Sequence, residues 1–500
     1  MDLLLPDHTM RNTRSLWGPV PAAFISFLPT LAGAEDAAAL LKRAGEAMGA
    51  ADLKSIRYSG EGTGFTFGQA FKPGLAWPRI NVLSRTWTIN YETGSMRDEI
   101  TLSRAEPKGG GGYPQVVQQK NDQFVSGASA WNQAASGPVA GPRFVTDRVH
   151  QLWITPHGVI KAATRNNATL AKAAKGAGKG TSAHAVTFSE PGRFVATVSI
   201  GADGLVEQVE SRIPDPVLGE VVAVTHYSDY RDFGGVKFPM KIRQAQGGFP
   251  VLDIAISDVQ PNAPADIQVP DPVRAVTEKV TADKVAAGIW FIAGGSHNSV
   301  AIEMQDHLVL VESPLNDGRM LPVLEQVQQL APGKPIRYLV NSHNHFDHSG
   351  GVRAAVAAGA TVITQAGNEP YFRKAFAVAN RIAPDQLAKS GRKPKFKAVA
   401  DKLVLRDGAR TIEIHRIQGS THNDTFLMVY LPTEKLLIEA DAFTPPPPNA
   451  PSAATPNPLN VNLIENIERL NLQVERILPL HGRVVPLADL YAVAGRTPPK

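Results

Sequence analysis

A chain of 500 residues is too long for one compact core, so two domains are expected. A hydrophobic share of 43% and a charged share of 19% describe an ordinary globular composition. The net charge is only +5, and no Lys/Arg cluster interleaves with aromatics, so nothing in the composition supports a nucleic-acid partner. The absence of cysteine excludes disulfides, cysteine-ligated metal and thiol catalysis together.

Arg11 and Arg14 precede an apolar stretch, Leu16–Leu31, followed by Ala32-Gly33-Ala34 and the acidic pair Glu35-Asp36. Positive flank, short apolar run and small-x-small site read as a secretory signal peptide over 1–34, which places the protein in the periplasm or outside the cell. The run is shorter than the roughly 20 residues a bilayer span needs, and no later segment reads as a span. Ala37–Met48 reads as an amphipathic helix with Leu40, Leu41 and Ala44 on one face. From Lys54 to about Asp258 the pattern becomes short alternating runs, such as Trp87–Tyr91, Val195–Ile200 and Val236–Ile242, divided by Gly and Asn/Asp turns. That is the pattern of an antiparallel β domain over 35–260, interrupted by a helix near Val145–Thr164. Gly109–Gly112 and Ala174–Gly180 read as loops. The proline-rich stretch Gln260–Arg274 reads as the linker, drawn at 261–276.

The pattern changes again over 277–500. Strand-like runs Gly288–Ala293, Val300–Met304 and His307–Glu312 lead to a helical pattern at Met320–Leu330 and an apolar strand at Ile336–Val340. A helix at Gly351–Ala358 and strands at Thr361–Thr364, Thr411–Gln418, Thr425–Leu431 and Lys435–Glu439 follow. Hairpins mixed with crossover helices predict an α/β sandwich, sheet on sheet with helices outside. Thr444–Asn460, with seven prolines, reads as a rim loop beside a site.

The chemistry concentrates in His343-Asn344-His345-Phe346-Asp347-His348, followed by Gly350-Gly351. In an extended segment, side chains two apart point the same way, so His343 and His345 can grip one cation. Asp347 and His348 fall where the chain turns, so they can face a second. Imidazole and carboxylate suit zinc, and also iron or manganese. A lone His-x-His means little; four ligand-type residues in six positions mean much more. Of the thirteen histidines, His150, His157, His184, His226, His307 and His415 lack ligand spacing and read as surface or core residues. His297, in the Gly-rich turn Gly294–Asn298, reads as a turn residue that can reach the rim and touch substrate.

The motif resembles the His-x-His-x-Asp-His signature of the metallo-β-lactamase superfamily, and the resemblance spans roughly Thr277–Arg483. It extends to Gly419-Ser420-Thr421-His422, to Glu439-Ala440-Asp441 and to Leu478-Pro479-Leu480-His481-Gly482, in the superfamily's order. It implies an αββα sandwich behind the mainly antiparallel β domain. It further implies two divalent cations, expected to be zinc: one on His343, His345 and His422, the other on Asp347, His348 and His481, with Asp441 bridging. Such a pair brings a shared water's pKa to about 7 and polarises the substrate oxygen. Asp347 would then hold the nucleophile and pass a proton to the leaving group. The expected function is hydrolysis of a small-molecule ester, lactone or related bond. A β-lactam is a weaker expectation, because the best-known zinc β-lactamases usually carry Cys where Asp441 falls and Lys three residues later, where this chain has Thr444. Two readings from other classes stand beside it. One is a mononuclear iron dioxygenase using His343 or His345, His422 and Asp441. The other is a lipid-binding protein with a vestigial metal site. Tyr230–Pro239 resembles strands of lipoprotein-carrier half-barrels, and the β domain is expected to be accessory, to bind an apolar substrate portion, or to form a homodimer.

Overall fold

The computed structural model describes residues 36–110, 118–172, 184–408, 410–448 and 455–498. The leader expected over 1–34 and the loop at Ala174–Gly180 lie outside them. Residues Asp36–Lys500 cluster as one compact unit. No helix among the described residues is long and apolar enough to cross a membrane.

Among the described residues, everything from Ser55 to Pro261 that is extended joins one thirteen-stranded sheet. Each strand pairs antiparallel with its sequence neighbour, and the first strand, Ser55–Phe65, closes on the last, Phe249–Pro261. The sheet is therefore two meanders joined along this central pair. Its buried positions alternate along the strands, as a half-buried sheet requires: Met96, Asp98, Ile100 and Leu102 are buried, and Arg97, Glu99 and Thr101 between them are not. Against that face pack the helices Ala37–Met48, Val145–Trp153 and Pro156–Arg165, through Leu40, Met48, Leu152 and Ile160. The single helix expected near Val145–Thr164 is thus two. Pro156 stands at the first turn of the second, where its missing N–H costs nothing, and the chain turns at Ile154-Thr155 before it.

The remaining strands form two facing sheets. The first, of seven strands, runs from Thr281–Ala286 to Lys395–Val399, and Leu308–Val311, Ile336–Val340, Thr361–Gln365 and Lys395–Val399 lie parallel within it. The second, of six strands, runs from Lys402–Asp407 to Val485-Pro486. Strand alternation divides the core into layers. Ile289 and Phe291 join Ile412, Ile414 and Val429 between the sheets, while Trp290 and Ile292 face the helices Asp317–Leu330 and Val352–Ala357. The helices Pro458–Arg469 and Leu487–Val493 cover the other sheet through Leu463, Ile467 and Leu490. This is the αββα sandwich. Two details differ from the sequence reading. Asp271–Arg274, inside the expected linker, is one helical turn. The rim loop ends at Asn457, whose side chain caps Leu459 N, so Pro458–Asn460 already belong to a helix.

Candidate metal centre

Parallel pairing sets the site. Glu439 and Pro479 are direct partners on adjacent parallel strands, so Asp441 and His481, each two residues on, emerge side by side. Glu439 turns the chain there, accepting the N–H groups of Ala442 and Phe443 at 3.0 Å each. On the facing sheet, Ile336–Val340 ends just before Asn341, and the His-rich segment follows into the short helix Phe346–Ser349. Gly350 lets that turn pack closely, since a Cβ there would collide with the Leu315 carbonyl.

The structure brings His343, His345, Asp347, His348, His422, Asp441 and His481 together in two adjoining donor groups. His343, His345, His422 and Asp441 form the first; Asp347, His348, His481 and also His297 form the second. Asp441 faces both. Its Oδ2 lies 3.2 Å from His343 Nε2, 2.8 Å from His422 Nε2 and 3.0 Å from His348 Nε2, and its Oδ1 lies 2.8 Å from His481 Nε2. His297, expected at the rim, is only 7% exposed. Of the other histidines, His307 stands with Asp306 and Asp407 at a separate, partly exposed cluster, and His150, His157, His184, His226 and His415 join no donor group among the described residues.

In His343, His345, His348 and His481 the nitrogen facing away from the group is tied from behind. His348 Nδ1 donates to Glu312 Oε2 at 3.0 Å. Ser342 Oγ donates to the same carboxylate, so it accepts from His343 Nδ1 at 2.9 Å. His481 Nδ1 donates to Ser296 O at 3.2 Å, and His345 Nε2 to Ala70 O at 3.1 Å. These contacts fix tautomers and aim the free nitrogens inward, as outer partners of metal-binding histidines do. His345 Nδ1 is left buried with no hydrogen-bond partner. Elsewhere two acceptor-type nitrogens confront each other: His343 Nε2 and His422 Nε2 at 3.2 Å, His348 Nε2 and His481 Nε2 at 3.0 Å. Lone pairs converging on buried space call for a cation between them, and the donor set fits divalent metal.

Electrostatics shows positive charge already drawn to the site: burial lowers the His348 imidazole, but Asp441 and Asp347 outweigh it and hold it well above its ordinary value, so a proton on this ring supplies charge that a cation would otherwise bring. Burial, then the charges of His348 and His422, pushes the His343 imidazole down to about 4, so its lone pair is available. Burial, then His343 and His422, holds His345 well below its ordinary value. Burial alone would raise the Asp441 carboxyl, but His348, His481 and His422 outweigh it, and the group stays ionised far below the usual carboxylate range.

Several contributors were invisible in the sequence. The most distant is the segment between the first two strands of the large sheet. Gln69 Nε2 donates to Asp347 Oδ1 at 2.7 Å. Phe346 N donates to Gly68 O, and Asp424 N to Phe71 O. Phe67 and Trp77 pack edge-on against Phe346 at 5.3 and 5.7 Å. Gly68, at φ +79°, is required here, because a Cβ would lie 2.6 Å from Phe346 Cγ. Glu312 and Asn298 were also unmarked; Asn298 bonds Leu480 O and Gly482 O and thereby holds the His297 turn beside His481.

Residues 292–481 match the family model described as the metallo-beta-lactamase superfamily, and both donor groups, which could hold metal ions, fall within them. A curated relative, the 2,4-dinitroanisole O-demethylase subunit alpha of Nocardioides sp. (strain JS1661), is 27% identical over 208 residues, which is 41% of this chain and 58% of that one. The chain thus spans little more than half of that relative's length. Among solved structures, a metallo-beta-lactamase from Pontibacter korlensis is 16% identical, with a TM-score of 0.34, covering 43% of this chain and 98% of its own. The FIM-1 metallo-beta-lactamase from Pseudomonas aeruginosa is 20% identical, with a TM-score of 0.31, covering 44% and 95%. Rubredoxin oxygen:oxidoreductase from Desulfovibrio gigas is 18% identical, with a TM-score of 0.33, covering 43% and 59%.

Proposed function

We propose that this protein is a dinuclear metal-dependent hydrolase acting on a small ester, lactone or related substrate. The observation that carries the reading is the two-sided position of Asp441, whose Oδ2 meets His343 and His422 of one group and His348 of the other, and whose Oδ1 meets His481. His343, His345 and His422 would hold one divalent cation, and Asp347, His348 and His481 the other, both by preference zinc. Bound there, the cations supply an activated water and polarise the substrate oxygen. The chain's own residues do the rest. Glu312 orients His343 through Ser342 and His348 directly. Gln69 engages Asp347 Oδ1, leaving Oδ2 turned toward the donor group, where it can take and return a proton. Phe67, Trp77 and Phe346 form an apolar wall at this edge, suited to excluding water.

A one-iron dioxygenase would leave His348 and His481 without a task, although both are oriented as carefully as the first set. The partial match to a subunit of a 2,4-dinitroanisole O-demethylase favours a second reading, cleavage of an activated aryl ether. A panel of chromogenic esters, lactones, a cephalosporin and a nitroaryl methyl ether separates these. Ester or lactone turnover is expected, and His345→Ala should cut it at least about 100-fold with the fold intact by circular dichroism. Full activity in that variant refutes the assignment.

A further inference from the structure

We propose that His297 is a third imidazole ligand of the second cation, so that each cation has three histidines and the shared Asp441 carboxylate, the second having Asp347 as well. The inference rests on the two-cation reading above and adds a residue outside the motif that suggested it.

The two groups have the same plan. In the first, the ring centroids of His343, His345 and His422 are 4.4, 4.5 and 5.1 Å apart. In the second, those of His297, His348 and His481 are 4.2, 4.9 and 5.5 Å apart. Ligand atoms about 2.1 Å from one cation stand roughly 3.0–3.4 Å from each other. His297 Nε2 is 3.3 Å from Asp347 Oδ2, inside that interval, and His348 Nε2 is 3.0 Å from His481 Nε2. The far nitrogen of His297 is also tied, as those of His343, His345, His348 and His481 are. Its Nδ1 lies 3.0 Å from Ser296 Oγ, which can accept the proton and leave the Nε2 lone pair facing the group.

The backbone is built to keep His297 there. Asn298 N donates to Leu480 O at 2.9 Å, and Asn298 Nδ2 donates to Gly482 O at 2.9 Å, so the residues flanking His297 and His481 are stapled together. From the other side, the buried guanidinium of Arg319 donates to the His297 carbonyl at 3.1 Å while pairing with Glu278 at 2.9 Å. A residue serving only as a substrate contact needs neither this burial nor this bracing. With His297 included, the second cation takes its protein donors from His297, Asp347, His348 and His481 together with Asp441.

The test is metal binding by the full chain, read without turnover. Apo-protein is titrated with zinc, and separately with cobalt(II), whose visible spectrum reports coordination. The wild type should bind two ions. His297→Ala should keep one ion at unchanged affinity and bind the other at least about tenfold more weakly. His297→Phe, which retains a flat ring of similar size, should do the same, whereas His297→Asp, which restores one donor oxygen, should recover part of the affinity with a shifted cobalt spectrum. Loss of the weakened ion in His297→Ala but not in His297→Phe would show a packing role and overturn the proposal. Two ions at unchanged affinity in all three variants would overturn it while sparing the two-cation reading. Fewer than two ions in the wild type would overturn both.

Discussion

The large sheet and the sandwich both bury histidines, and they use them oppositely. On the helices that cover the large sheet, His150 Nε2 meets Ser211 Oγ at 2.7 Å and His157 Nε2 donates to Met48 O at 3.0 Å, each ring in a hydrophobic core. Both leave Nδ1 buried without a partner, as His345 does in the sandwich. The orphaned nitrogen is therefore not what distinguishes the metal centre. What distinguishes it is convergence. No second donor group faces His150 or His157 among the described residues, whereas six imidazoles and two carboxylates of the sandwich face one another. An isolated buried imidazole pays a modest cost as the neutral form; a converging set is stable only with positive charge among its lone pairs.

The comparison can be sharpened at the place where the two regions touch. Gln69 belongs to the loop between the first two strands of the large sheet, and its amide holds a sandwich carboxylate. Gln69→Ala should lower kcat or second-ion affinity by about 10–100-fold, the usual cost of losing an outer partner, with the thermal midpoint nearly unchanged. Steady-state kinetics with metal titration checks this; kinetics equal to the wild type would make the sheet a mere neighbour of the site. A smaller effect separates the core histidines from the metal set. Burial pushes His150 down to about 3 and His157 down to about 4, against an unfolded value near 6.5. The unfolded chain therefore binds more protons between those limits, so this contribution is fully present above about pH 6.5 and is lost as pH falls toward 4. Each ring should account for about 1 kcal/mol by pH 5.5. Denaturant titrations between pH 7 and 5 should show this slope in the metal-free protein, and His150→Gln should flatten it; an unaltered slope would mean the ring takes up its proton without unfolding.

The contrast also explains what the sequence disclosed. Local physics was readable: the helix at Ala37–Met48 has the expected limits, and the strand Ile336–Val340 delivers the His-rich turn as its spacing implied. His422, Asp441 and His481 became readable through a family pattern, and the parallel pairing of Glu439 with Pro479 supplies the physical reason for the last two. Gln69 was beyond reach, because it is 278 positions from Asp347 and an ordinary glutamine in a loop. Glu312 was hidden by lying at the end of an apolar strand, where the three hydrogen bonds its carboxylate accepts have no sequence signature. The start of Pro458–Arg469 was hidden because proline in a proline-rich run looks like loop, although at the first helical turn it is favoured.

The central claim is that two converging donor groups, joined by Asp441, hold two cations. Crystals of the zinc-loaded protein, measured on both sides of the zinc absorption edge, test it most directly. Two anomalous peaks are expected about 3.5–4 Å apart, one beside His343, His345 and His422 and one beside His348 and His481, with Asp441 between them. A single peak, or none at these residues, would contradict it.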